Sequence, residues 1–429
     1  MSKPQITIVG GGMITQVQIL PSLYHLQREG VVGDIRISAL NAAPLKTLAE
    51  DPTLKRAFPG QSFTPFPDYT KVDLAKPYPD LFKEVLSGMK PRNVVVVAVP
   101  DQLHYGTIKA ALNHDQHVLT VKPLVLKHDQ AMEIEKLAFE KGLVVGVEYH
   151  KRFDDRNLMA RRRYRAGEFG EFKAGQANLV EKWYYRFSNF QNWCTVENSD
   201  PFSYIACHYI DLVAFITGLR PKSVSVHGLV EKWPNGRAGF LWSDGRVVWE
   251  NNASLSVLNG FGYPDLGPGG NSQGMLLFTT GGDAGALISH SDQDRGVKHC
   301  VLKKGRDPGD TEFMEPNPDY FQLIPLGGEG LVPVGYGYRS IAYIARAIVQ
   351  VERASAGLDA AAGLKARQKL LEEYDREGIM ATPKNSAYNE LVMEAGRLSI
   401  LNGGREAVIE YGERPHARFK EASEYAALK

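Results

Sequence analysis

Three consecutive glycines, Gly10 to Gly12, follow the β-branched run Gln5 to Val9 near the start of the chain. Glycine at a strand-to-helix turn lets the backbone approach a pyrophosphate, and the helix N-terminus adds free amides and partial positive charge. The third glycine of a GxGxxG fingerprint would stand where the chain has Thr15. The turn therefore indicates a dinucleotide site, with Met13 and Ile14 opening its helix, or else a structural turn that needs glycine.

The second candidate is the residue that follows the second strand, predicted over Ile35 to Leu40. Dinucleotide-binding domains usually place a carboxylate here, on the adenosine ribose, whereas this chain has Asn41. An amide still hydrogen-bonds a hydroxyl but does not repel a 2′-phosphate. The nearest cation is Lys46, and no arginine follows closely. This pattern favours NAD and does not exclude NADP.

A lysine before a proline, Lys122-Pro123, ends the predicted strand His117 to Val121. Open α/β sheets bind their ligands at the carboxyl ends of parallel strands. An ammonium group placed there can bind a reacting hydroxyl and polarise the carbonyl that it becomes. The alternative is a solvated surface lysine.

Tyr204, His208 and Asp211 are spaced along one predicted helix. Because residues four apart share a helix face, Tyr204 and His208 can point into one pocket. Histidine is suited to act as a general base for a hydroxyl, whereas a neutral tyrosine would be an acid, a hydrogen-bond partner or a stacking platform. A core histidine and a packed tyrosine are the structural alternatives. Cys207 points away from its neighbour His208 on a helix, which argues against a Cys/His nucleophile.

The pattern of predicted strands and helices that must position these residues changes near residue 150. Up to there, short β-branched runs alternate with amphipathic stretches, and the unbroken apolar run Asn93 to Val99 marks a strand buried on both faces of a parallel sheet. Residues 1–150 are therefore predicted to form an NAD(P)-binding Rossmann domain, a doubly wound parallel sheet of the α/β class.

Residues 151–429 are predicted to form a second, α+β domain for substrate binding and oligomerisation. A basic helix at Asp155 to Gly167 precedes glycine-punctuated strands from about Glu171 to Leu326, typical of a large, mostly antiparallel open sheet. Composition predicts a loop over a site at Asn259 to Gln273. From Arg339 onward the sequence is mostly helical.

Charge and composition favour a small-molecule partner. The chain of 429 residues has 50 lysines and arginines against 49 aspartates and glutamates, a net charge of +1 that does not suggest nucleic acid or an anionic membrane. No apolar run is long enough for a membrane span. The three cysteines lack CxxC spacing, so no metal site is expected. The N-terminus lacks a signal-peptide pattern, and a cytoplasmic location is expected.

An aromatic cluster suggests a carbohydrate ligand. Trp183 and Trp193 bracket a segment that mixes tyrosine and phenylalanine with Arg186, Gln191 and Asn192. Flat apolar rings suit the C–H faces of a sugar, and planar polar groups suit its hydroxyls. The segment is equally consistent with a hydrophobic core or a subunit contact.

Three motifs in order resemble the glucose–fructose oxidoreductase/inositol dehydrogenase (Gfo/Idh/MocA) family. They are Val99 to His104, Val121 to Pro123, and Glu148 to Asp154. The resemblance extends over residues 5–219 and implies a nicotinamide-dependent enzyme. It places Pro100 and His104 against the nicotinamide and ribose.

The same resemblance assigns candidate site residues. Lys122 matches the family's catalytic lysine, and Pro123 fixes the turn that aims it. His208 and Asp211 match the last two positions of an Asp-x3-His-x2-Asp pattern, but Tyr204 stands where the family has an aspartate. By the same comparison, Arg152 matches a family arginine, and His150 lies beside a position often filled by a polar substrate contact.

The preferred hypothesis is an NAD(P)-dependent dehydrogenase of a sugar, glycoside or inositol-like polyol, assembled as a homodimer or homotetramer. A redox-neutral glycosidase that retains NAD is the alternative within enzymes. A non-catalytic, nucleotide-sensing regulator is the alternative from another class, and the retention of Lys122 and His208 argues against it.

Overall fold

The computed structural model describes residues 3–267, 269–281, 285–291, 299–302, 311–314 and 320–426. The chain divides into two compact units, each made of two segments. The first unit is Met1–Asp154 with Tyr320–Ala387, and the second is Asp155–Asp319 with Tyr388–Lys429.

The first segment alternates strands and helices. Its strands are β1 (Ile6–Val9), β2 (Ile35–Ser38), β3 (Thr64–Phe66), β4 (Val94–Val97), β5 (His117–Val121) and β6 (Val145–Glu148). Its helices are α1 (Leu20–Arg28), α2 (Ala43–Glu50), α3 (Pro52–Ala57), α4 (Leu81–Ser87), α5 (His104–Asn113) and α6 (His128–Lys141). A π-helical turn spans Thr15–Ile19, and 3₁₀ turns span Asp101–Leu103 and His150–Phe153.

The second segment is rich in strands. Its described strands are β7 (Phe172–Lys182), β8 (Pro221–Lys232), β9 (Ala238–Trp249), β10 (Ser254–Tyr263), β11 (Asn271–Thr279), β12 (Ala286–Ser291), β13 (His299–Leu302) and β14 (Thr311–Met314). Its described helices are α7 (Asp155–Arg165), α8 (Phe190–Trp193) and α9 (Cys207–Thr217). A 3₁₀ turn spans Trp183–Phe187, and a second π-helical turn spans Phe202–Ala206.

The last two segments complete the two units. The third segment holds β15 (Gln322–Ile324), β16 (Val332–Val334), α10 (Tyr336–Ala354), α11 (Ala360–Glu377) and α12 (Pro383–Ser386). The fourth holds α13 (Tyr388–Ile400), β17 (Ala407–Glu410), β18 (His416–Phe419) and α14 (Ala422–Ala426). No described helix is long and apolar enough to cross a bilayer.

The first unit contains a six-stranded parallel sheet in the order β3-β2-β1-β4-β5-β6. The four valines of β4 are fully buried, as the unbroken apolar run predicted. The strand order reverses between β1 and β4, and the glycine turn follows β1 at that point. Such a switch point is where doubly wound sheets bind their ligands.

The second unit contains an eight-stranded sheet in the order β12-β11-β7-β10-β9-β8-β17-β18. β7 and β10 pair in parallel, and the other pairs are antiparallel. Helices α9 and α13 pack against one face, where alternate strand residues such as Leu255, Val257 and Leu277 are buried. The predicted fold class, a Rossmann domain followed by an α+β domain with a mostly antiparallel sheet, is confirmed.

Two features differ from the sequence interpretation. The segment 320–387, expected to belong to the second domain, groups with the first unit because α10 inserts Ile341, Ile344 and Ile348 into the core beneath the parallel sheet. The segment expected to be a loop at Asn259 to Gln273 is strand at both ends, since β10 runs through Tyr263 and β11 begins at Asn271, and the loop is shorter, at 264–270. Its glycines fit closely packed strands: a Cβ at Gly260 or Gly262 would overlap the Trp242 ring.

Candidate active site

The backbone of the glycine turn lies close to the end of β4 on one side and borders open space on the other. Gly10 has φ +117°, and a Cβ there would lie 2.0 Å from the carbonyl oxygen of Ala98 at the end of β4, so only glycine fits. A Cβ at Gly12 would meet nothing within 4 Å. Open space beside Gly12 at a helix start leaves room for a pyrophosphate.

Thr15 replaces the missing third glycine with a specific contact. Its side chain is fully buried, and Oγ1 donates to the carbonyl of Gly10 at 2.8 Å. The helix begins here with a π-helical turn, a rare conformation often found at functional sites. Met13 stays 41% exposed at the turn, and Ile14 is partly buried against the core.

Asn41 lies three residues beyond the end of β2 and is partly buried. Its Oδ1 is enclosed, and no hydrogen-bond partner for it occurs among the residues that the structure describes. A buried amide oxygen without a partner fits a site for a ribose hydroxyl, which can donate to it. The glycine turn and Asn41 together therefore fit the phosphate and ribose ends of a dinucleotide.

His104 joins two turns at the carboxyl edge of the sheet. Its fully buried ring places Nδ1 2.7 Å from the carbonyl oxygen of Pro123 and Nε2 2.9 Å from that of Val99. The ring thus holds the turn that contains Pro100 against the turn after β5. Because it is enclosed, these contacts favour a positioning role over the direct cofactor contact that the sequence suggested.

Lys122 follows β5 directly, and its peptide bond to Pro123 is cis. In the sheet register Val121 pairs with Glu148, so Lys122 and the residues after β6 lie at the same carboxyl edge. The lysine is mostly buried. The structure thus brings the strand-end lysine and the glycine turn to one edge of one sheet.

The two residues after β6 that were predicted to contact the substrate, His150 and Arg152, lie in different surroundings. His150 packs between Tyr320 and Tyr336, with ring centroids 5.1 and 5.5 Å away, and its Nδ1 lies 3.1 Å from Oε2 of Glu148. Arg152 is buried, and its Nη1 donates to Oδ1 of Asn385 at 3.3 Å. These contacts favour a structural role for Arg152, and a substrate contact by it stays a prediction.

In the second unit, Tyr204 lies in the π-helical turn ahead of α9. Asp200 stabilises the start of this turn by accepting from the amide and hydroxyl of Ser203 at 2.8 and 3.1 Å. The wider π turn changes the simple helical spacing assumed between Tyr204 and His208. His208 is mostly buried at the start of α9.

Asp211 anchors a neighbouring helix. It is buried, and its Oδ1 accepts from the hydroxyl of Tyr388 at 2.8 Å and the amide of Asn389 at 3.1 Å, both in α13. The thiol of Cys207 donates to the carbonyl of Tyr204 at 3.5 Å. Asp211 therefore orients α9, the helix that carries His208. The substrate contact predicted for Asp211 stays a prediction.

The two predicted tryptophans occupy different environments. Trp183 is 44% exposed, and the guanidinium carbon of Arg186 lies 3.8 Å from its ring centroid. Trp193 is 9% exposed and packs in the core, 5.2 Å from Phe190 and 5.3 Å from Tyr204. Trp183 thus remains available as a stacking platform, whereas Trp193 supports the position of Tyr204.

A loop between β10 and β11 is fixed beside Trp183. The mostly buried Lys182 donates through Nζ to the carbonyls of Asp265 and Gly267 at 2.9 and 2.6 Å. Burial lowers the pKa of this lysine from its ordinary value. The carboxylate of Asp265 accepts from the amide of Tyr184 at 2.8 Å, so the loop and the aromatic segment form one assembly.

A parallel sheet with a glycine turn and a strand-end lysine, followed by a large mixed sheet, defines a two-domain protein with a Rossmann-type nucleotide-binding fold. The sequence profile of GFO_IDH_MocA, described as "Oxidoreductase family, NAD-binding Rossmann fold", matches residues 5–149. Residues 5–149 thus match the NAD-binding domain of the Gfo/Idh/MocA oxidoreductase family.

Curated relatives match over part of the chain. The uncharacterized oxidoreductase YfiI of Bacillus subtilis is 30% identical over 177 residues, 40% of this chain and 41% of that protein. The D-glucoside 3-dehydrogenase of Escherichia coli is 27% identical over 149 residues, 33% and 41% of the two chains. The scyllo-inositol 2-dehydrogenase (NADP(+)) IolW of B. subtilis is 23% identical over 141 residues, 32% and 38%. The chain thus spans about two fifths of the length of these relatives.

Solved structures extend the likeness of fold to nearly the whole chain. Scyllo-inositol dehydrogenase from Lactobacillus casei, solved with NAD(H) and scyllo-inositol, has a TM-score of 0.58 and 14% identity, and covers 95% of this chain and 99% of that one. GenD2 from gentamicin A biosynthesis, solved with NAD, has a TM-score of 0.63 and 14% identity, with 96% and 97% covered. At this identity the likeness shows the fold.

Proposed function

We propose that this protein transfers a hydride between NAD and a hydroxyl-bearing carbon of a sugar, glycoside or inositol-like polyol. The observation that carries the proposal is the placement of the glycine turn and Lys122 at one carboxyl edge of the parallel sheet. The first unit would bind the cofactor, and the second unit would bind the substrate and other subunits.

The proposed cofactor contacts follow from the fit of the site. The Gly10–Gly12 turn would hold the pyrophosphate, and Asn41 would bind the adenosine ribose. When bound, the nicotinamide supplies the hydride acceptor. Pro100 would border the nicotinamide end, where His104 holds the turn in place.

The catalytic roles are divided between two side chains. Lys122 would hold the reacting oxygen through its ammonium group, and His208 would take the proton that the hydroxyl loses. Tyr204, which carries one hydroxyl and packs against Phe190 and Trp193, would hydrogen-bond the substrate. Asp211 would support His208 through the anchoring of α9.

Two observations support a sugar or polyol as the substrate class. Trp183 presents an open aromatic ring backed by Arg186, a surface suited to the C–H face of a sugar ring. The names of two relatives, D-glucoside 3-dehydrogenase and scyllo-inositol 2-dehydrogenase, concern a glycoside and a cyclic polyol.

The direct test is NADH formation from a panel of aldoses, inositols and glycosides. Replacement of Lys122 or His208 by alanine deletes an interaction made mainly in the transition state, so kcat should fall by about 10² to 10⁴. NADH binding, followed by fluorescence, should survive. The exposed Lys136 and His114 provide matched control alanine variants that should keep full turnover. Full turnover by the Lys122→Ala variant would refute this site.

Tyr204 keeps the redox-neutral glycosidase as a second candidate, because it replaces the aspartate expected at that position. A chromogenic glycoside, assayed alongside the sugar panel, separates the two. Cleavage without net NADH would favour the glycosidase, and steady NADH production would establish the dehydrogenase. Tyr204→Phe should cost far less activity than Lys122→Ala if the tyrosine only packs.

Cofactor choice follows from Asn41. With neither a carboxylate to repel a 2′-phosphate nor an arginine to bind it, NAD should be preferred over NADP by no more than roughly a hundredfold. Fluorescence titration with NADH and NADPH measures the ratio, and Asn41→Asp should widen it. A strong NADPH preference in the original protein would instead assign the 2′-phosphate to Lys46 or another cation.

A further inference from the structure

The loop that joins β3 to α4, residues 67–80, begins beside the end of β2. The two strands are parallel neighbours, and the amide of Ala39 donates to the carbonyl of Phe66 at 2.9 Å. The chain therefore leaves both strands at the carboxyl edge of the sheet, where Asn41 follows β2. The loop thus starts close to the position proposed for the adenosine ribose.

Two backbone hydrogen bonds then bring the same loop back against that position. The amide of Ala43 donates to the carbonyl of Leu74 at 3.1 Å, and the amide of Tyr78 donates to the carbonyl of Leu40 at 2.6 Å. The earlier residue of each stretch is bonded to the later residue of the other. The two stretches therefore run past each other in opposite directions.

Lys76 is the central residue of the returning stretch. It lies midway between the two loop residues that make these bonds, and Asn41 lies between the two residues bonded to them. The backbone therefore places Lys76 opposite Asn41, and the lysine is exposed. Its flexible four-carbon stem allows the ammonium group to reach a ligand bound at the ribose position.

The charge of Lys76 is left unpaired where two similar lysines are paired. The spacing Asp-x-x-Lys occurs three times here, at Asp68/Lys71, Asp73/Lys76 and Asp80/Lys83. The first and third form ion pairs, with nitrogen–oxygen distances of 2.9 and 2.7 Å. Within residues 67–87, all of which the structure describes, the middle pair does not close. Oδ1 of Asp73 instead accepts from the amide of Ala75 at 2.9 Å, and Nζ of Lys76 lies 5.4 Å from the centroid of the Tyr78 ring.

A cation opposite Asn41 suits one feature of a dinucleotide, the 2′-phosphate that distinguishes NADP from NAD. The neutral amide of Asn41 does not repel this group. A cation–π contact at an exposed site is weak, whereas a phosphate attracts an ammonium group strongly. We infer that Lys76 binds the 2′-phosphate of NADP(H), so that the protein accepts both dinucleotides. The inference rests on the proposed function and adds a specificity-determining residue to its cofactor site.

Fluorescence titration with NADPH and NADH tests the inference without any substrate. The original protein should bind NADPH within about tenfold of NADH. Lys76→Gln should weaken NADPH binding by about 5- to 30-fold, because it removes a charged partner of the phosphate, and should leave NADH binding within about twofold. Lys76→Arg should retain NADPH binding, since a guanidinium group also pairs with phosphate.

The two paired lysines provide matched controls. Lys71→Gln and Lys83→Gln remove the same charge from the same region, but their ammonium groups already bind aspartates. Neither should change the ratio of the two affinities by more than about twofold. Calorimetric titration with adenosine 2′,5′-bisphosphate and adenosine 5′-monophosphate isolates the adenosine end. Only the bisphosphate should lose affinity in Lys76→Gln.

An unchanged NADPH affinity in Lys76→Gln overturns the inference. An equal loss in either control variant also overturns it and assigns the effect to the overall charge of the loop. A loss confined to a Lys46→Gln variant overturns it and assigns the phosphate to α2. An original protein that binds NADH but rejects NADPH overturns the inference and leaves the proposed function intact, whereas binding of neither dinucleotide overturns both.

Discussion

Gly10 and Gly12 differ in what a side chain would meet, although they lie two residues apart. At Gly10 the obstacle is the backbone carbonyl of Ala98, which cannot move without disturbing β4. At Gly12 there is open space. The fold therefore requires glycine at the first position, whereas the second has room for a side chain in the absence of a ligand.

An alanine at each position should separate these two cases. Gly12→Ala should fold normally and weaken NADH binding by at least about tenfold, because its methyl group projects into the open space. Gly10→Ala should lower the unfolding temperature clearly. Thermal unfolding and NADH fluorescence titration measure both effects, and a Gly12→Ala variant that binds NADH normally would place the pyrophosphate elsewhere.

The two tryptophans make a second contrast of this kind. Trp193→Ala should destabilise the protein by about 3–5 kcal/mol, since it empties a packed core position. Trp183→Ala should leave the free energy of unfolding nearly unchanged, raise KM for the best sugar and spare NADH binding. Denaturant unfolding and steady-state kinetics test the pair. Normal kinetics with dissociation of subunits in Trp183→Ala would identify an interface instead.

At the scale of elements, the start of β5 contains a pH-sensitive pair. The fully buried His117 accepts from the amide of Val144 through Nδ1 at 3.0 Å, and Nε2 lies 3.0 Å from Glu352. Burial lowers the pKa of His117. Burial alone would raise the pKa of Glu352. Hydrogen bonds and charge interactions with His117 and Arg92 outweigh the effect of burial, so the pKa of Glu352 is lowered.

Stability should therefore fall as the medium becomes acidic. Below the ordinary histidine pKa of about 6.5, the unfolded chain binds a proton that the folded His117 resists, so folding is penalised. The contribution of Glu352 is lost at still lower pH. The unfolding temperature should drop between pH 7 and 5, and less so in His117→Gln than in the control His114→Gln. Because the pKa of buried His25 is also lowered, the unfolding temperature of His117→Gln should still decrease somewhat between pH 7 and 5. Equal slopes in the two variants would contradict this assignment.

The regular elements were predictable because their patterns are local. The β-branched run of β4 and the glycine that ends α6 at Gly142, with φ +63°, each report their own conformation. The two π-helical turns were missed, since an extra residue in a turn has no compositional signal. They alter the setting of Thr15 and Tyr204, two positions where the chain departs from the expected motifs.

The candidate site was predictable where motif and strand end coincide, as at Lys122. The contacts of Glu148 were not, because Gln18 lies 130 residues away in sequence and Ser340 lies 192 away. The enclosed setting of His104 and Arg152 also depends on tertiary contacts. Spacing shows which residues reach an edge of the sheet and does not show what already occupies their polar atoms.

At the scale of the whole molecule, the outer face of the eight-stranded sheet carries exposed apolar side chains. Side chains alternate along a strand, so Phe278, Leu287 and Leu258 point away from the face that packs on α9 and α13, and each is about half exposed. Phe278 and Leu287 are directly opposite each other on β11 and β12. Such a surface supports the proposal of a homodimer or homotetramer.

Charge on that face should break the assembly. Phe278→Lys combined with Leu287→Lys should reduce the mass in solution toward that of a single chain, measured by light scattering during size-exclusion chromatography. Leu358→Lys, at an exposed leucine of the first unit, is the control and should leave the mass unchanged. An oligomer that survives the double change must be formed through another surface.

The return of residues 320–387 to the first unit has a consequence for recombination between relatives. The family profile ends at residue 149, but α10 fills the same core, and Gly146 leaves no room for a side chain beside Ile344, whose Cγ2 would lie 2.6 Å from a Cβ there. A chimera with one crossover near residue 150 would join a sheet to a foreign helix. Exchange of the cofactor domain between such proteins therefore requires two crossovers, so that residues 320–387 are transferred together with the first segment.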